Sequence, residues 1–485
     1  MMKWILALSI LAVYANTMLF VVSWGLKWSV LFVNWRKNRL QATAPVEETL
    51  TTPAPADCLA ASAGRGAAYF SVHLPTHNEP PDIVIKTIDS ILASNYDDFE
   101  LLVIDNNTSD PDLWMPVSDH CMEKGARLRF YHCMEVTNAK AGALDIALEL
   151  RNRRATHIVI VDADYTVDRD FLSRASNLLA QNEYDYIQFP QSYRGQGAAG
   201  LKYELGLYFA TVTRAADAAN TMLLTGTLSV IAVKALRTLG GWKTSTLTED
   251  AEIGLQLHMR GFRGRYIAQS AGAGLLPFTF FDLEKQRERW IHGNFQVLAR
   301  YFTRIMTVKK TYLVPILSQL SAWFAFLLIP MVFMLLIPLF AGYRPLSNAA
   351  AWALVMSAGT IIIDFVSRFV FIRLSAMGTK LADVLDTFIV SWALAGRSSL
   401  ATFTWNLPAA RIFHRTNKSI CDESAAVHST TTTLVAIVGG MAVLQGLLMA
   451  QPWVVVAGML SVLMLPFQWL ISRRLLQYRN HFRVR

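Results

Sequence analysis

The chain has 485 residues, with 45 lysines and arginines against 36 aspartates and glutamates, and therefore a formal charge of +9. Hydrophobic residues make up 53% of it and charged residues only 17%, whereas a soluble domain usually carries about 25% charged residues. This composition excludes a disordered chain, a fibrous repeat and a small disulfide-stapled module, and it indicates a membrane protein with a soluble portion.

The N-terminal region is apolar over residues 4–35, with Lys27 as its one charge. A helix of about 20 residues crosses the hydrocarbon core of a bilayer, so one span fits here. A cleaved signal peptide has a shorter apolar region of about 7–15 residues. The sequence therefore predicts a transmembrane helix over 1–40, and the following Arg36, Lys37 and Arg39 predict that its C-terminal end lies in the cytoplasm.

Four more apolar blocks follow in the second half of the chain, at 312–340, 349–371, 432–450 and 453–471. Positive residues concentrate on one side of these blocks, which predicts five spans with the N-terminus outside. The first block is long and contains two prolines, so it predicts a tilted or kinked helix. Polar and aromatic side chains within the spans are candidates to line a passage: Trp323, Trp352, Asp364, Arg368 and Trp405.

Residues 381–406 are apolar but interrupted by Asp383, Asp386 and Arg397. An amphipathic helix at the membrane interface fits this pattern better than a sixth span, which would also break the charge asymmetry.

The region 69–280 alternates short apolar runs with helical patterns. Strands are predicted at 69–74, 101–104, 128–131, 157–161 and 186–189. Helices are predicted at 82–93 and 139–150, where apolar residues recur at helical spacing. This alternation predicts a parallel-dominated sheet with crossover helices, in which ligands bind beyond the carboxyl ends of the strands.

Polar residues stand at those strand ends. Asp162 and Asp164 directly follow an apolar run, and two carboxylates so close together predict a divalent cation. Asp105 follows another strand, although one aspartate there is also typical of a turn. Lys140 at a helix start predicts contact with a phosphate, and a solvated lysine is the alternative.

Two further segments carry chemistry. Thr248, Glu249 and Asp250 begin a helix, whose N-terminus keeps Asp250 ionised and usable as a base. Gln286, Arg289 and Trp290 share one helix face at i, i+3 and i+4. That face suits either a membrane interface or a cleft that binds an anion and stacks on a sugar ring.

In this order, Asp105, Asp162-Ala163-Asp164, Thr248-Glu249-Asp250 and the Gln-x-x-Arg-Trp of 286–290 resemble the signature of the processive family-2 glycosyltransferases. This family includes cellulose, hyaluronan, chitin and bacterial β-glucan synthases, and the resemblance runs over 69–418. The segment 413–418 is similar to the gating loop of cellulose synthases. His77 and Asn106 depart from the family pattern, which has tyrosine and aspartate there, and the likeness to β-1,3- or mixed-linkage glucan synthases is the closer one.

The resemblance implies an α/β GT-A-type nucleotide-sugar transferase domain inserted between transmembrane helices, with an α-helical membrane domain. The implied organisation is a transmembrane helix at 1–40, a linker at 41–68, the transferase domain at 69–280, an interfacial helix at 281–310, two transmembrane helices in 311–373, an interfacial helix with the gating loop in 374–431, and two transmembrane helices with a basic tail in 432–485.

The same resemblance assigns roles to residues. Asp250 acts as the base with Glu249 beside it, and Asp164 ligates Mg²⁺ or Mn²⁺. The acceptor sugar is held by Trp290, Thr248 and Glu249. The donor nucleotide is held by Thr76, Asn78, Glu79, Asp105, Lys140, Asp162, Gln286 and Arg289. The gating loop contributes Phe413, Thr416 and Lys418.

The implied activity is processive, inverting polymerisation of a β-linked polysaccharide from a UDP-sugar, with UDP-glucose favoured. The growing polysaccharide is the acceptor, and it crosses the bacterial inner membrane from a cytoplasmic catalytic domain, with a periplasmic export partner and no nucleic acid involved. The alternatives are a non-processive transferase that moves one sugar to a lipid phosphate, a hyaluronan- or chitin-like synthase that uses UDP-GlcNAc, and a non-enzymatic glycan transporter.

Overall fold

The computed structural model describes residues 2–42, 67–341, 346–376, 379–411 and 429–483. An α/β domain lies between the N-terminal helix α1 (Met2–Ala42) and a C-terminal group of helices. Most of the predicted linker 41–68 falls outside the described residues.

The centre of the α/β domain is a seven-stranded sheet with the order β3-β2-β1-β4-β7-β6-β8. Two further short strands, β5 and β9, pair with each other. The strands are β1 (Phe70–Thr76), β2 (Phe99–Asn106), β3 (Leu128–Cys133), β4 (His157–Ile160), β5 (Thr166–Val167), β6 (Tyr186–Gln188), β7 (Ser229–Ala232), β8 (Gly264–Tyr266) and β9 (Gly272–Ala273).

The sheet is mostly parallel, as predicted. β1, β2, β3 and β4 run in one direction, and β6 and β8 pair in parallel. The one reversal is β7, which is antiparallel to both β4 and β6. All five predicted strands form in their predicted places, whereas β5, β7, β8 and β9 were not expected from the sequence.

Helices cover both faces of the sheet and bury apolar residues against it. In α2, for example, proline at the first turn fits the helix start, and Ile83, Val84, Ile88 and Ile91 form its buried stripe. The helices of the domain are α2 (Pro81–Leu92), α3 (Pro111–Glu123), α4 (Ala139–Leu150), α5 (Phe171–Gln181), α6 (Ala199–Tyr208), α7 (Arg214–Ala218), α8 (Val233–Leu239) and α9 (Glu249–Met259), with a π-helical turn at Phe209–Thr213.

The remaining chain is helical. Within the described residues, four stretches are long and apolar enough to cross a membrane: Lys3–Asn34, Asn348–Ser375, Thr430–Leu448 and Pro452–Phe482. The helices are α10 (Phe280–Thr307), α11 (Lys310–Ser321), α12 (Leu328–Ala341), α13 (Asn348–Ser375), α14 (Leu381–Ala393), α15 (Ala395–Thr404), α16 (Thr430–Leu448), α17 (Pro452–Val462) and α18 (Met464–Arg483), with a 3₁₀ turn at Pro408–Arg411.

The block 312–340 differs from the single kinked helix predicted for it, because α11 ends and α12 begins on either side of a break. The hydroxyl of Ser399 accepts hydrogen bonds from the backbone N–H groups of Leu327 (2.9 Å) and Leu328 (2.7 Å). Pro330, in the first turn of α12, has no N–H to satisfy. A side chain distant in the sequence therefore caps a new helix start that composition alone does not reveal.

The block 381–406 forms two short helices, α14 and α15, which join at Leu394. α14 packs against α6 of the α/β domain and against α18, and α15 packs against α10. Neither helix has the roughly 20 residues that a span requires, in keeping with the prediction of a non-spanning segment between the domain and the membrane helices.

Candidate active site

A cavity of about 340 Å³ opens at the carboxyl ends of β1, β2 and β4 and extends beneath α10. Most of the side chains predicted for the site line this cavity. They are Thr76, Glu79, Lys140, Asp162, Asp164, Thr248, Glu249, Asp250, Gln286, Arg289 and Trp290.

Asp105 lies behind the cavity wall, where only 4% of it is exposed. One of its carboxylate oxygens accepts hydrogen bonds from the hydroxyls of Thr76 (3.0 Å) and Thr108 (2.7 Å). The other is 2.8 Å from Nδ1 of His132, whose ring stacks on Trp114 at a centroid distance of 4.3 Å. In this arrangement Asp105 fixes the position of Thr76, which itself faces the cavity.

His77 and Asn106, the two departures from the family pattern, each contact the loop that carries the other. His77 lines the cavity, and its Nδ1 donates to the backbone carbonyl of Asn106 at 2.6 Å. The amide of Asn106 donates to the carbonyl of Thr76 at 2.8 Å, a bond that an ionised aspartate cannot donate. Asn78 does not line the cavity, and its backbone N–H donates to the Thr108 hydroxyl at 2.9 Å.

Lys140 is the cation among the acidic residues of the cavity. Its ammonium lies 2.5 Å from Asp162 and 3.6 Å from Glu249. Burial lowers the pKa of Lys140, but Asp162, Glu249 and Asp250 together outweigh burial and raise it. Lys140 therefore stays charged at neutral pH and offsets the repulsion between these carboxylates.

Asp250 lies in the first turn of α9, next to Gly226. Gly226 has a φ of +94°, and a Cβ there would stand 3.2 Å from the Asp250 carboxylate and 3.7 Å from the Lys140 ammonium. Burial, followed by the neighbouring Glu249 carboxylate, raises the pKa of Asp250 to about 7. A carboxylate with a pKa near the working pH is well suited to remove a proton.

The acidic pair Asp162 and Asp164 follows β4. The backbone N–H of Asp162 donates to the Thr227 hydroxyl at 3.0 Å, and Asp164 accepts from the Leu275 N–H at 3.4 Å. Over the described ranges, no group of three His, Cys, Asp or Glu side chains could hold a metal by itself. Mg²⁺ is commonly bound through one or two carboxylates together with substrate phosphates. This pair therefore fits a cation whose remaining ligands come from a bound diphosphate.

The helix α10 turns Gln286, Arg289 and Trp290 into the cavity. Of the two interpretations left open by the sequence, the structure therefore favours a cleft-facing surface. α10 comes closest to the loop before α9 at Gly293, where a Cβ would lie 2.6 Å from the backbone nitrogen of Thr248. Only glycine permits this approach.

Sequence reasoning missed Arg287, which is 2% exposed. Its guanidinium carbon lies 4.3 Å from the ring centre of Trp290 and 4.7 Å from that of Trp323, and it forms an ion pair with Glu204. The ring centres of Trp290 and Trp323 are 5.2 Å apart. No spacing in the sequence points to this arrangement, because Trp323 and Glu204 come from distant segments.

Two smaller cavities share lining residues with the first cavity or with each other. The second, of about 60 Å³, shares Thr248, Asp250 and Trp290 with it and extends to Tyr208 and Trp323. The third, of about 110 Å³, shares Tyr208 and Trp323 with the second. The third also reaches side chains of α1 and α13, namely Trp24, Lys27 and Arg368.

The residues predicted to line a passage have different outcomes. Trp323 and Arg368 line the third cavity. Asp364 pairs with Arg368 at 2.8 Å and accepts from Trp24 Nε1 at 2.9 Å. Trp405 stacks on Phe295 at 5.0 Å. The prediction for Trp352 is wrong, because 63% of this residue is exposed on the outer surface.

The predicted gating-loop residues Phe413, Thr416 and Lys418 lie outside the described residues.

Two families of known proteins match the region that contains this site. The model for Glycosyl transferase family 2 matches residues 71–240, and that for Glycosyl transferase family group 2 matches 157–367. A UDP-forming cellulose synthase catalytic subunit from Xanthomonas axonopodis is 28% identical over 47% of this chain and 31% of its own length. A poly-β-1,6-N-acetyl-D-glucosamine synthase from Staphylococcus aureus is 25% identical over 49% of this chain and 57% of its own.

Among solved structures, a mannosyltransferase from Pyrobaculum calidifontis in complex with GDP-Man and Mn²⁺ covers 82% of this chain and 97% of its own, with 18% identity and a TM-score of 0.49. The matches to the two curated relatives span about a third and just over half of their lengths.

Proposed function

The chain contains a family-2 glycosyltransferase domain of the GT-A type, and from that premise we propose that it is a processive, inverting polysaccharide synthase. It builds a β-linked glycan from a UDP-sugar and passes the product across a membrane. UDP-glucose is the favoured donor, in line with the UDP-forming cellulose synthase among the relatives.

One observation carries this proposal. Donor-side groups (Lys140, Asp162 and Asp164) share a cavity with Asp250 and Trp290, and the latter two also line the next cavity towards the membrane helices. A transferase that adds one sugar and releases its product has no need of such a continuation. A synthase that retains its growing product needs one immediately beside the reacting groups.

On the donor side, the uridine is held by the β1 and β2 loops, where Thr76 and Glu79 face the cavity and Asp105 supports Thr76. Asn78 supports the same loop through Thr108. The diphosphate lies against the N-terminus of α4 and the cations Lys140 and Arg289, because a helix N-terminus and an ammonium both favour an anion. Gln286 completes this side of the site.

In the transfer step, the acceptor hydroxyl oxygen attacks the anomeric carbon on the face opposite the diphosphate. The bond from that carbon to the diphosphate oxygen breaks, UDP leaves, and the hydroxyl proton passes to Asp250. Glu249 and Thr248 hold the acceptor beside Asp250, and Trp290 stacks on its terminal ring. Mg²⁺ or Mn²⁺ bound through Asp164 supplies positive charge against the leaving diphosphate, alongside Lys140 and Arg289.

The membrane helices then have a purpose. Hydrocarbon offers a glycan no hydrogen-bond partners, so each unsatisfied hydroxyl costs several kcal/mol there. The third cavity offers polar partners such as Lys27, Arg368 and Ser391 at the level of α1 and α13. The lining residues that it shares with the second cavity support a route for the polymer.

The cationic residues of the sequence support an orientation with the catalytic domain in the cytoplasm and the enzyme in the bacterial inner membrane. The segment with Phe413, Thr416 and Lys418 acts as the gating loop that closes over the nucleotide and excludes water. A periplasmic partner receives the polymer.

The test is turnover by purified full-length protein supplied with a panel of UDP-sugars, followed by sizing and linkage analysis of the product. A polymer from UDP-glucose is expected. Asp250→Asn should lower turnover by about 10²- to 10⁴-fold. Asp119→Asn, a matched change at an exposed position of α3, should leave turnover unchanged.

Three outcomes would contradict the proposal in different ways. A single sugar attached to a lipid would exclude processivity. A polymer from UDP-GlcNAc alone would replace the donor. Undetectable release of UDP with every donor would remove the enzyme function and leave a glycan transporter.

A further inference from the structure

Another cavity, of about 780 Å³, is separate from the active site. It lies where the C-terminal ends of α9 and α10 meet β8 and the start of α11. Its lining includes five cationic side chains and no aspartate or glutamate. We call it the basic pocket; its cations are Arg260, Arg263, Arg265, Arg304 and Lys309.

Most of this positive charge is not neutralised within the described part of the chain. Arg265 pairs with Asp217 at 3.2 Å. Arg260, Arg263 and Arg304 are exposed and form no ion pair with any described residue. A concavity lined by several cations and no carboxylate focuses a positive potential, so the basic pocket is suited to an anionic ligand. Arginine is especially suited to phosphate, which it binds through two parallel hydrogen bonds.

The position of the basic pocket points to the source of that phosphate. Arg304 lies in the last turn of α10 and Lys309 directly precedes α11. The Ser318 hydroxyl of α11 lies 3.4 Å from the backbone carbonyl of Leu26 in the membrane-spanning α1. The pocket mouth is therefore within about two helical turns of a segment that crosses the membrane.

Apolar side chains are exposed on the same two helices. Phe302 and Met306 of α10 are 52% and 50% exposed, and Val314 of α11 is 39% exposed. At about 3.6 residues per turn they lie on the faces of α10 and α11 opposite the pocket-lining Arg304 and Tyr312. They are therefore not part of the pocket, and their exposure fits helices that lie at a lipid surface.

We propose that the basic pocket binds the phosphate of an anionic phospholipid headgroup at that surface. Juxtamembrane clusters of lysine and arginine attract anionic lipids in this way. The bound lipid would fix the C-terminal end of α10 against the membrane surface. The N-terminal half of the same helix carries Gln286, Arg289 and Trp290 into the active site.

The test uses full-length protein in phosphatidylcholine nanodiscs, with and without phosphatidylglycerol, and measures retained lipid by native mass spectrometry. Unmodified protein should retain phosphatidylglycerol in preference to phosphatidylcholine. The triple variant Arg260→Gln, Arg263→Gln, Arg304→Gln should bind it on the order of 100-fold more weakly. The control removes the same charge elsewhere on the α/β domain, as Arg127→Gln, Arg153→Gln, Arg154→Gln, and should retain preference and affinity.

A single substitution guards against misfolding of the triple variant. Arg304→Gln alone should weaken binding roughly fivefold.

Equal losses in the two triple variants, or no preference for phosphatidylglycerol in the unmodified protein, would overturn the proposal. If phosphatidylglycerol did not displace pyrophosphate from the pocket, a lipid headgroup would be excluded as the source of the bound phosphate. These measurements need no sugar transfer, so they are independent of the proposed function.

Discussion

The guanidinium of Arg287 lies 4.3 Å from the ring centre of Trp290 and is held there by an ion pair with Glu204. Trp323 contacts the same guanidinium at 4.7 Å. Trp290 borders the first two cavities and Trp323 the last two. Arg287 therefore positions the aromatic rings between the candidate active-site cavity and the cavity that reaches α1 and α13.

Arg287→Lys should shorten the polymer while the protein stays folded. Lysine keeps a positive charge for Glu204 but lacks the planar group that stacks on an aromatic ring. The acceptor would then be held less firmly between additions. We expect a product distribution shifted to shorter chains, measured by size-exclusion chromatography.

Arg300→Lys is the matched control, because Arg300 is on the same helix but is largely exposed. It should leave product length as in the unmodified protein. An unaltered length distribution in Arg287→Lys would mean that Arg287 has a purely structural role.

The pH dependence of turnover should report Asp250. Its pKa is raised to about 7, first by burial and then by Glu249, and a base works only when deprotonated. As pH rises from below 7, the deprotonated fraction increases, so kcat/KM should climb and level off above about 7. Initial rates of UDP release across a pH series measure this.

Lys140→Met should move that inflection to higher pH. The Lys140 charge lowers the pKa of Asp250, so its removal raises that pKa further, and donor binding weakens as well. Asp119→Asn should not move the inflection. A profile that does not change in Lys140→Met would assign the titration to another group.

Turnover should require a divalent cation. Chelation should abolish UDP release, and added Mg²⁺ or Mn²⁺ should restore it, because Asp164 alone has too few ligands to keep the ion without the diphosphate. Asp164→Asn should raise the metal concentration needed for half-maximal rate at least roughly tenfold. Asp168→Asn, at a half-exposed aspartate nearby that pairs with Arg174, should not. Full activity in the presence of chelator would exclude metal dependence.

Gly293→Ala should damage both activity and stability. The added methyl would meet the backbone of Thr248 at 2.6 Å, so α10 or the loop that carries Glu249 and Asp250 must shift, at a cost of about 1–3 kcal/mol. Thermal unfolding and UDP release measure the two effects.

Gly206→Ala provides the comparison, since nothing lies within 4 Å of its added methyl in α6. Alanine there should be neutral or stabilise by up to about 1 kcal/mol. If Gly293→Ala behaved in the same way, the close approach of α10 would not constrain the site.

Much of the fold could be predicted because its signals are local. The helix α4 has the predicted bounds 139–150, and β1 to β4 follow apolar runs that are typical of buried parallel strands. The strand β7 could not be found this way. Its four residues show no alternation of apolar and polar side chains, and its direction is set only by pairing with β4 and β6.

The residues of the candidate site also fall into two groups, those with a local signal in the sequence and those whose role depends on distant segments. Motif residues such as Asp164 and Asp250 were identifiable because their chemistry stands at strand and helix ends, and Trp290 because it shares a helix face with Gln286 and Arg289. Arg287 was not, since its role depends on Trp323 and Glu204 being folded against it. The cap that Ser399 provides for α12 escaped notice for the same reason.

The reversed strand β7 has a consequence for how the enzyme family can diversify. The neighbouring strands β4 and β6 reach the cleft with their C-terminal ends, whereas β7 reaches it with its N-terminal end. Gly226 and Thr227, which precede β7, therefore lie next to Asp250 and the backbone of Asp162. Asp250 and the backbone of Asp162 therefore both contact the segment that leads into β7 in the middle of the sheet. Adaptation to a new sugar is left to the peripheral loops, because α10 is fixed beside Asp250 by its close approach to Thr248 at Gly293.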